Sequence, residues 1–412
     1  MKIEEIKISE LKPYNKNARI HNDKQIDLLS KNIKKFGFTT PVVVSKDNEV
    51  ICGHGRIEAL KKLNWQNVPC VRMEGLTDEE VRTLRLADNK LAEMATWDMD
   101  LAIQELKGLD DELMNLTGFD KDLLIEGDEK DDVIPEEAPA TVKLGDIWQL
   151  GRHRVMCGDS TKIKDVEKLM DGKKAKLCFT SPPYNMANKK YYDKYEDNLD
   201  SQEYIDFNIK VIQNIQNFIN GFLFWNISYN KNSRKEWIEV YYNIMKGTNF
   251  EFLESIVWDK GHGMPIIQKD TLTRRYELIV AFDDKEGERE IDRFYLGNNG
   301  KNIVFNKKTQ KELTNYWYID TFKSQHGLNQ ACFPVALLTK AIIIMTQDKD
   351  IIMEPFCGVG STLIACEKTN RICYGMEISE NYCSVILQRY YDYTKIDPIR
   401  LSDGKKWSEL IA

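Results

Sequence analysis

Apolar and polar residues alternate along the first 75 residues in a pattern that predicts a small mixed domain. The stretch "IDLLSKNIKKFG" (26–37) places apolar residues at helical spacing and ends in glycine. The runs "PVVVS" and "EVICG" flank a polar turn and predict two short strands, and "GRIEALKKLNW" predicts a second helix. We therefore expect an α+β domain at residues 1–75.

Helical periodicity follows and then stops at an acidic stretch. It begins at Thr77 and Glu80, which have the spacing of a capping box, and predicts a helical extension over 76–125. The next segment, "EGDEKDDVIPEEAPA", is acidic, holds two prolines and offers little apolar surface to bury. We interpret 126–141 as a solvated linker and therefore as a domain boundary.

From residue 142 the pattern alternates strands with helices. Apolar strand-like runs such as "AKLCF", "DIIMEPF" and "RICYGMEIS" are separated by helical segments such as "KIKDVEKLM" and "STLIACEKT". This alternation predicts an α/β domain over 142–412 with a mostly parallel, doubly wound sheet of the Rossmann type. The interval 186–330 between two of its strand motifs is long, aromatic-rich and irregular, and within it "GFLFWN", "ESIVWDK" and "ELIVAF" predict strands.

Composition restricts the function classes. The chain has 412 residues, 42% of them hydrophobic, and a net charge of −7, so binding to nucleic acid would need a local basic face. Its longest apolar stretch is interrupted by Lys340, which argues against a membrane span. The nine cysteines contain no C-x-x-C pair, which argues against a zinc cluster or other metal site and favours a reducing cytoplasm.

A glycine-containing turn lies between a predicted strand and a predicted helix. In "EPFCGVGSTL", Gly358 and Gly360 would let a ligand approach the backbone N–H groups at the start of a helix. The next strand ends in Glu377, at a spacing suited to an acid that binds ribose hydroxyls. Leu363 occupies the third glycine position of the dinucleotide motif, and no P-loop lysine follows, so the turn favours a nucleoside ligand without a pyrophosphate.

A second motif, "LCFTSPPYN" (177–185), ends an apolar run with two prolines. Because proline has no backbone N–H to donate, the strand must end there. The stretch is either a rigid turn or a preorganised rim at the carboxyl end of a parallel strand, where α/β sheets bind ligands.

Together these two motifs resemble the S-adenosylmethionine-dependent DNA amino-methyltransferases. Ser-Pro-Pro-Tyr precedes the glycine turn by about 170 residues, which is the permuted order of that family's β group, with the target-recognition region between them, within 186–330. The resemblance covers about residues 142–395. It implies methyl transfer to an exocyclic amino group, with Ser181 and the Pro182 carbonyl as acceptors, Pro183 as the rigid neighbour and Tyr184 stacked on the flipped base.

The resemblance also implies a binding site for the cofactor S-adenosyl-L-methionine. Its predicted residues line the glycine turn, the ribose and the adenine or amino-acid part of the cofactor: Asp159, Asn329, Phe333, Phe356, Gly358, Gly360 and Glu377. Asp159 could equally cap the helix that follows it, and Phe333 could equally belong to the core. Serine at the first motif position resembles the cytosine-N4 enzymes, whereas adenine-N6 enzymes more often carry aspartate there.

The N-terminal region resembles the ParB and sulfiredoxin superfamily in its G-x-x-R turn. Gly53, Gly55 and Arg56 open a helix in that turn, and in nucleotide-binding members such a turn holds phosphates. The resemblance implies a nucleotide, CTP or ATP, as a candidate ligand, although Arg56 could instead pair with an acid.

The sequence thus predicts a two-part cytoplasmic enzyme of a bacterium, archaeon or phage that methylates double-stranded DNA as part of restriction-modification, with homodimerisation left open. Two other readings stay open. One is a nucleotide-gated DNA-binding clamp with a non-catalytic methyltransferase domain, and the other is methylation of RNA or of a protein amide.

Overall fold

The computed structural model describes residues 2–95, 97, 99–119, 124, 129–135, 138–185, 198–229, 233–261, 275–284, 293–298, 301–306, 313–319 and 332–411. The chain divides into two compact units, Met1–Leu124 and Ile125–Ala412. Across the described residues, every helix is too short or too polar to cross a bilayer.

The first unit contains a four-stranded sheet in the order β1-β4-β2-β3. Its strands are β1 (Ile3–Lys7), β2 (Val42–Val44), β3 (Val50–Cys52) and β4 (Asn67–Arg72). Two helices, α1 (Asp23–Phe36) and α2 (His54–Lys62), pack apolar residues against the sheet, around the fully buried Val42, Val50 and Leu60. The predicted α+β domain is confirmed.

Three further helices complete this unit: α3 (Asp78–Met94), α4 (Met99–Leu106) and α5 (Asp111–Thr117). The predicted capping box is confirmed, because the Thr77 side chain accepts the Glu80 N–H while the Glu80 carboxylate accepts the Thr77 N–H. The α5 helix packs on α1, where the Asn32 side chain donates to the Leu116 carbonyl at 2.9 Å.

The second unit is built on a ten-stranded sheet in the order β13-β9-β10-β8-β7-β14-β15-β6-β5-β16. Its five central strands, β8-β7-β14-β15-β6, are mutually parallel, which confirms the predicted Rossmann-like α/β class. A separate antiparallel pair is formed by β11 and β12. The strands of this unit are β5 (Ile147–Leu150), β6 (His153–Cys157), β7 (Ala175–Thr180), β8 (Ile219–Asn226), β9 (Phe250–Asp259), β10 (Tyr276–Asp284), β11 (Arg293–Asn298), β12 (Lys301–Asn306), β13 (Tyr316–Tyr318), β14 (Ile351–Glu354), β15 (Ile372–Glu377) and β16 (Ile399–Arg400).

Helices pack around the large sheet and bury apolar residues in two clusters. They are α6 (Ile163–Met170), α7 (Ser201–Ile215), α8 (Arg234–Gly247), α9 (Val335–Met345), α10 (Ser361–Lys368), α11 (Glu380–Thr394) and α12 (Trp407–Ile411).

The three strands predicted within the interval 186–330 are confirmed as β8, β9 and β10 of the large sheet. The interval also supplies two helices, α7 and α8, that were not predicted. The missed signal is in α7, whose buried residues Tyr204, Ile205, Val211, Ile212 and Ile215 recur at helical spacing.

The predicted solvated linker is wrong for part of 126–141. A short 3₁₀ turn, Glu129–Asp132, packs on the second unit, and Asp131 is only 3% exposed. The Asp131 carboxylate binds the Lys368 ammonium and accepts from the Tyr393 hydroxyl, while its carbonyl accepts from Arg389. Composition failed here because an acidic residue that finds buried cationic partners can be buried without apolar neighbours.

Candidate active site

The two sequence motifs meet at one edge of the large sheet. Four parallel strands, β7, β14, β15 and β6, lie side by side and end at the same edge. The residues that follow them are Ser181 after β7, Phe356 after β14 and Asp159 after β6, and Glu377 ends β15. The chain reverses its strand order between β7 and β14, which is the point where open α/β sheets form a ligand crevice.

The glycine turn leads from β14 into α10 in a left-handed conformation. Gly358 has φ of +53° and Gly360 has φ of +84°, and Gly360 is the N-cap of α10. A side chain at Gly358 would meet no atom of the described residues within 4 Å, which suits a ligand that approaches the backbone here. The turn is anchored by the Cys357 N–H, which donates to the Met376 carbonyl at 2.8 Å.

Glu377 holds this turn and is itself almost fully buried. One carboxylate oxygen accepts the Gly358 N–H at 2.8 Å and the other accepts the Ser379 N–H at 2.9 Å. A carboxylate only accepts hydrogen bonds, so this side chain has the chemistry that ribose hydroxyl groups require. The open glycine cradle and this acid fit a ribose-containing ligand.

Aromatic residues pack against the start of the turn, and a cleft runs along α7. The Phe356 ring packs against Phe207 of α7 and Trp225 of β8 at centroid distances of 5.8 and 6.2 Å. A cleft of about 710 Å³ lies along α7 and is lined by residues that include Phe207 and Thr161.

Asp159 closes a local turn but does not cap α6. Its Oδ1 accepts the Thr161 N–H at 3.0 Å and the Thr161 hydroxyl at 2.7 Å, and its Oδ2 lies 3.3 Å from the Lys162 Nζ. The N-cap of α6 is Lys162, which makes no side-chain cap, so the helix-cap reading of Asp159 is wrong. Asp159 lies four positions before the first helical residue, Ile163, whereas an N-cap immediately precedes it.

The Ser-Pro-Pro-Tyr motif is held by hydrogen bonds on both sides of its prolines. The Tyr204 hydroxyl donates to the Pro183 carbonyl at 2.9 Å, and both prolines are buried. No donor from the described residues lies on the Pro182 carbonyl. The Ser181 hydroxyl donates to the Tyr184 hydroxyl at 2.8 Å.

Two buried polar residues of the site were missed by the sequence reasoning. Asn226 ends β8 and accepts from the Tyr184 hydroxyl at 2.6 Å. Glu354 ends β14, and its carboxyl group accepts from the Thr180 hydroxyl, from the Phe356 N–H at 3.1 Å and from the Thr362 hydroxyl at 2.9 Å. Both are polar residues that end an apolar strand, and that position was the available signal.

Burial raises the pKa of Glu354 from its ordinary value of 4.5 to about 8, because desolvation of the carboxylate outweighs its three hydrogen bonds. Between these two pH values the folded state keeps a proton that the unfolded state releases. The stabilisation that the Glu354 proton contributes is therefore fully present below about pH 4.5 and is lost as the pH rises to about 8.

We expect Glu354→Gln, which mimics the protonated carboxyl group, to remove this pH dependence. The free energy of unfolding of the wild-type chain should fall by up to about 1.4 kcal/mol per pH unit relative to the variant over that range. Urea unfolding of both proteins at about pH 6 and about pH 8 measures it. Parallel pH profiles would contradict a raised pKa at Glu354.

Phe333 and Asn329 are the two remaining residues that were predicted to bind the cofactor. Phe333 packs in the core, edge-on to Phe179 at 5.2 Å and near Trp258 at 5.9 Å, which favours its core reading. Asn329 lies outside the described residues.

Two cysteines near the glycine turn have raised thiol pKa values. Burial raises the pKa of Cys332 to about 11, and a hydrogen bond that the Cys357 thiol donates to Cys373, together with burial, raises the pKa of Cys357 well above its ordinary value. Neither supplies a thiolate near neutral pH, so neither is suited to covalent catalysis.

In the first unit, the G-x-x-R turn is well formed. Gly53 has φ of +104° and is the N-cap of α2, and Gly55 packs against the His21 ring. Arg56 pairs with no acid in a salt bridge among the described residues; its Nη1 donates to the Thr40 and Pro41 carbonyls at 2.7 and 2.8 Å. This arginine thus stabilises the loop before β2.

Comparisons with known proteins match both units. A family model described as DNA methylase matches residues 175–388, and one described as ParB N-terminal domain matches residues 1–90. The ParB-like nuclease domain-containing protein YnaK of Escherichia coli (strain K12) is 44% identical over 73 residues, which cover 18% of this chain and 84% of that protein.

More distant similarities extend over the second unit. Type II methyltransferase M.BglII of Bacillus subtilis is 21% identical over 231 residues, which cover 52% of this chain and 62% of that protein, less than two thirds of its length. The solved structure of PvuII DNA methyltransferase, described as cytosine-N4-specific, is 16% identical with a TM-score of 0.45, covering 62% of this chain and 89% of that one.

Proposed function

Because this chain belongs to the DNA methylase family, with a ParB N-terminal domain at residues 1–90, we propose that it methylates double-stranded DNA. The methyl group would pass from S-adenosyl-L-methionine to the exocyclic amino group of a flipped base, with N4 of cytosine as the preferred target. The protein would act as the methyltransferase of a restriction-modification system, as the names of its relatives suggest.

The observation that carries this proposal is the link between the two motifs through Glu354. One carboxyl group binds Thr180, which precedes Ser181, and the N–H of Phe356, which begins the glycine turn. Because β7 and β14 are neighbouring parallel strands, this link would hold the proposed amino-group acceptor beside the proposed nucleoside cradle.

The acceptor groups would activate a poor nucleophile. The lone pair of an exocyclic amino group is delocalised into the base, and two acceptors on its hydrogens favour a pyramidal nitrogen with a localised lone pair. The Ser181 Oγ and the Pro182 carbonyl would supply these acceptors, and the buried proline pair would fix the carbonyl. The amino nitrogen releases one proton to water after transfer.

The glycine turn would hold the methyl donor. Gly358 and Gly360 would admit it to the backbone, Glu377 would accept from its ribose hydroxyls, and Phe356 would contact its apolar surface. When bound, S-adenosylmethionine supplies an electrophilic sulfonium methyl group whose bonding pair stays on sulfur as the methyl group passes to nitrogen.

We also propose that the N-terminal G-x-x-R turn binds a nucleotide. Its support is the left-handed Gly53 at the start of α2, which leaves backbone N–H groups at a helix N-terminus. The Nη1 group of Arg56 donates to two carbonyls, and the guanidinium group has further N–H donors that suit a phosphate. Equilibrium dialysis with CTP and ATP is the direct test.

Nucleoside mass spectrometry tests the main proposal. Unmethylated plasmid DNA is incubated with the purified chain and S-adenosylmethionine and then digested, and we expect N4-methylcytosine. N6-methyladenine would keep the reaction and correct the base. S-adenosylmethionine binding without any modified nucleoside would overturn DNA methylation and favour the DNA-binding clamp or another substrate.

A further inference from the structure

A chain of three hydrogen bonds connects Ser181 to the two strands beyond it. The Ser181 Oγ lies 2.8 Å from the Tyr184 Oη, which lies 2.6 Å from the Asn226 Oδ1. The Asn226 Nδ2 lies 2.9 Å from the Leu278 carbonyl of β10. Asn226 is 0% exposed, so its amide is enclosed between β8 and its neighbours.

The chemistry of these groups fixes the direction of every bond in this chain. A backbone carbonyl only accepts, so the Asn226 atom facing Leu278 must be the amide nitrogen, and the oxygen must face Tyr184. That oxygen also only accepts, so the single hydroxyl hydrogen of Tyr184 points toward Asn226. The Tyr184 oxygen must then accept from Ser181, whose one hydroxyl hydrogen is used in this bond.

Ser181 therefore presents only lone pairs to the crevice. We infer that Asn226 is a positioning residue that makes Ser181 an obligate hydrogen-bond acceptor, so that the pocket selects bases by an N–H donor at the reacting position. The inference rests on the proposed function. It explains how a hydroxyl, which can donate or accept, discriminates an exocyclic amino group from a carbonyl oxygen.

The same chain cannot carry a proton away from the base. It ends on an amide and a backbone carbonyl, and neither accepts a proton near neutral pH. The Ser181–Tyr184–Asn226 chain is thus an orientation device, and proton release from the methylated amino group must take another route.

Single-turnover methylation by Tyr184→Phe and Asn226→Ala tests the inference. Tyr184→Phe keeps the ring for stacking and removes only the hydroxyl, so Ser181 becomes free to rotate. We expect each variant to lower the rate constant about tenfold, as for the loss of one hydrogen bond, and the double variant to be no slower than either. Affinity for S-adenosylmethionine should stay unchanged, because the described hydrogen bonds among Ser181, Tyr184 and Asn226 lead to β10 and away from the glycine turn.

A second measurement reads the selectivity directly, without turnover. In the presence of S-adenosylhomocysteine, the affinity is measured for a duplex with the target base and for a duplex in which that base is replaced by its deaminated form, uracil or hypoxanthine. The first affinity divided by the second is the selectivity ratio. In both variants the rotating Ser181 hydroxyl can donate to the carbonyl, so this ratio should fall about tenfold from the wild-type value. Differences in duplex stability cancel between wild type and variant.

Tyr390→Phe is the matched control, because its buried ring packs on His153 at the opposite end of β6. It should leave both the rate and the ratio unchanged. Wild-type values for Tyr184→Phe, or losses that multiply in the double variant, would overturn the inference, and Tyr184→Phe alone decides it if Asn226→Ala does not fold. A wild-type chain that transfers no methyl group would overturn the proposed function, and the affinity ratio would still decide the role of Ser181.

Discussion

Replacing Ser181 with alanine is expected to lower the rate of methyl transfer by about 10²-fold or more, the size of effect seen when one preorganised hydrogen-bonding group at a reacting atom is removed. The Ser181 hydroxyl is the only side-chain acceptor of the Ser-Pro-Pro-Tyr motif apart from that of Tyr184. Without it, the amino group keeps one acceptor and its lone pair stays delocalised.

The measurement is single-turnover transfer of a tritiated methyl group to DNA, paired with calorimetric titration of S-adenosylmethionine. Cofactor affinity should not change, because the cradle is formed by Gly358, Gly360 and Glu377. Ser384→Ala is the control, since it removes a buried serine hydroxyl that donates to the Glu380 carbonyl within α11. A Ser181→Ala rate within twofold of wild type would rule out its assigned role.

The second large effect concerns stability. Replacing Asp131 with asparagine should lower the free energy of unfolding of the second unit by about 3 kcal/mol, because the Lys368 ammonium would stay buried without its counter-charge. The side chains of this pair are only 4% and 17% exposed, so water cannot replace the lost carboxylate. Urea unfolding followed by tryptophan fluorescence measures the change, since Trp148, Trp225 and Trp407 are all fully buried.

Glu239→Gln supplies the comparison for this second experiment. It removes an ion pair with Lys235 whose side chains are 38% and 84% exposed, and we expect a loss below about 0.5 kcal/mol. If Asp131→Asn costs no more than Glu239→Gln, the segment around Asp131 is the solvated linker that its composition suggested.

The two motifs could be predicted from the sequence because they depend on local chemistry. Pro182 and Pro183 must end a strand wherever they occur, and Gly358 and Gly360 between a strand and a helix favour a left-handed turn, because these properties belong to the residues themselves. The helix at 26–37 and the capping box at Thr77 could be predicted for the same reason.

Contacts between residues that are distant in the sequence could not be predicted. Ser181, Asn226 and Leu278 are far apart in sequence, and they meet only because β7, β8 and β10 are neighbours in the sheet. A polar residue that ends an apolar strand, such as Asn226 or Glu354, looks the same whether it faces solvent or a partner from another strand.

Because periodicity, turn chemistry and motif order are local properties, the amino-acid sequence was sufficient to predict the fold class, the two motifs and the family. The lone pairs that Ser181 presents and the burial of Asp131 became apparent from the packed structure. The physical reason is that the direction of a hydrogen bond and the cost of burying a charge depend on the partner, and strand order and helix packing choose the partner.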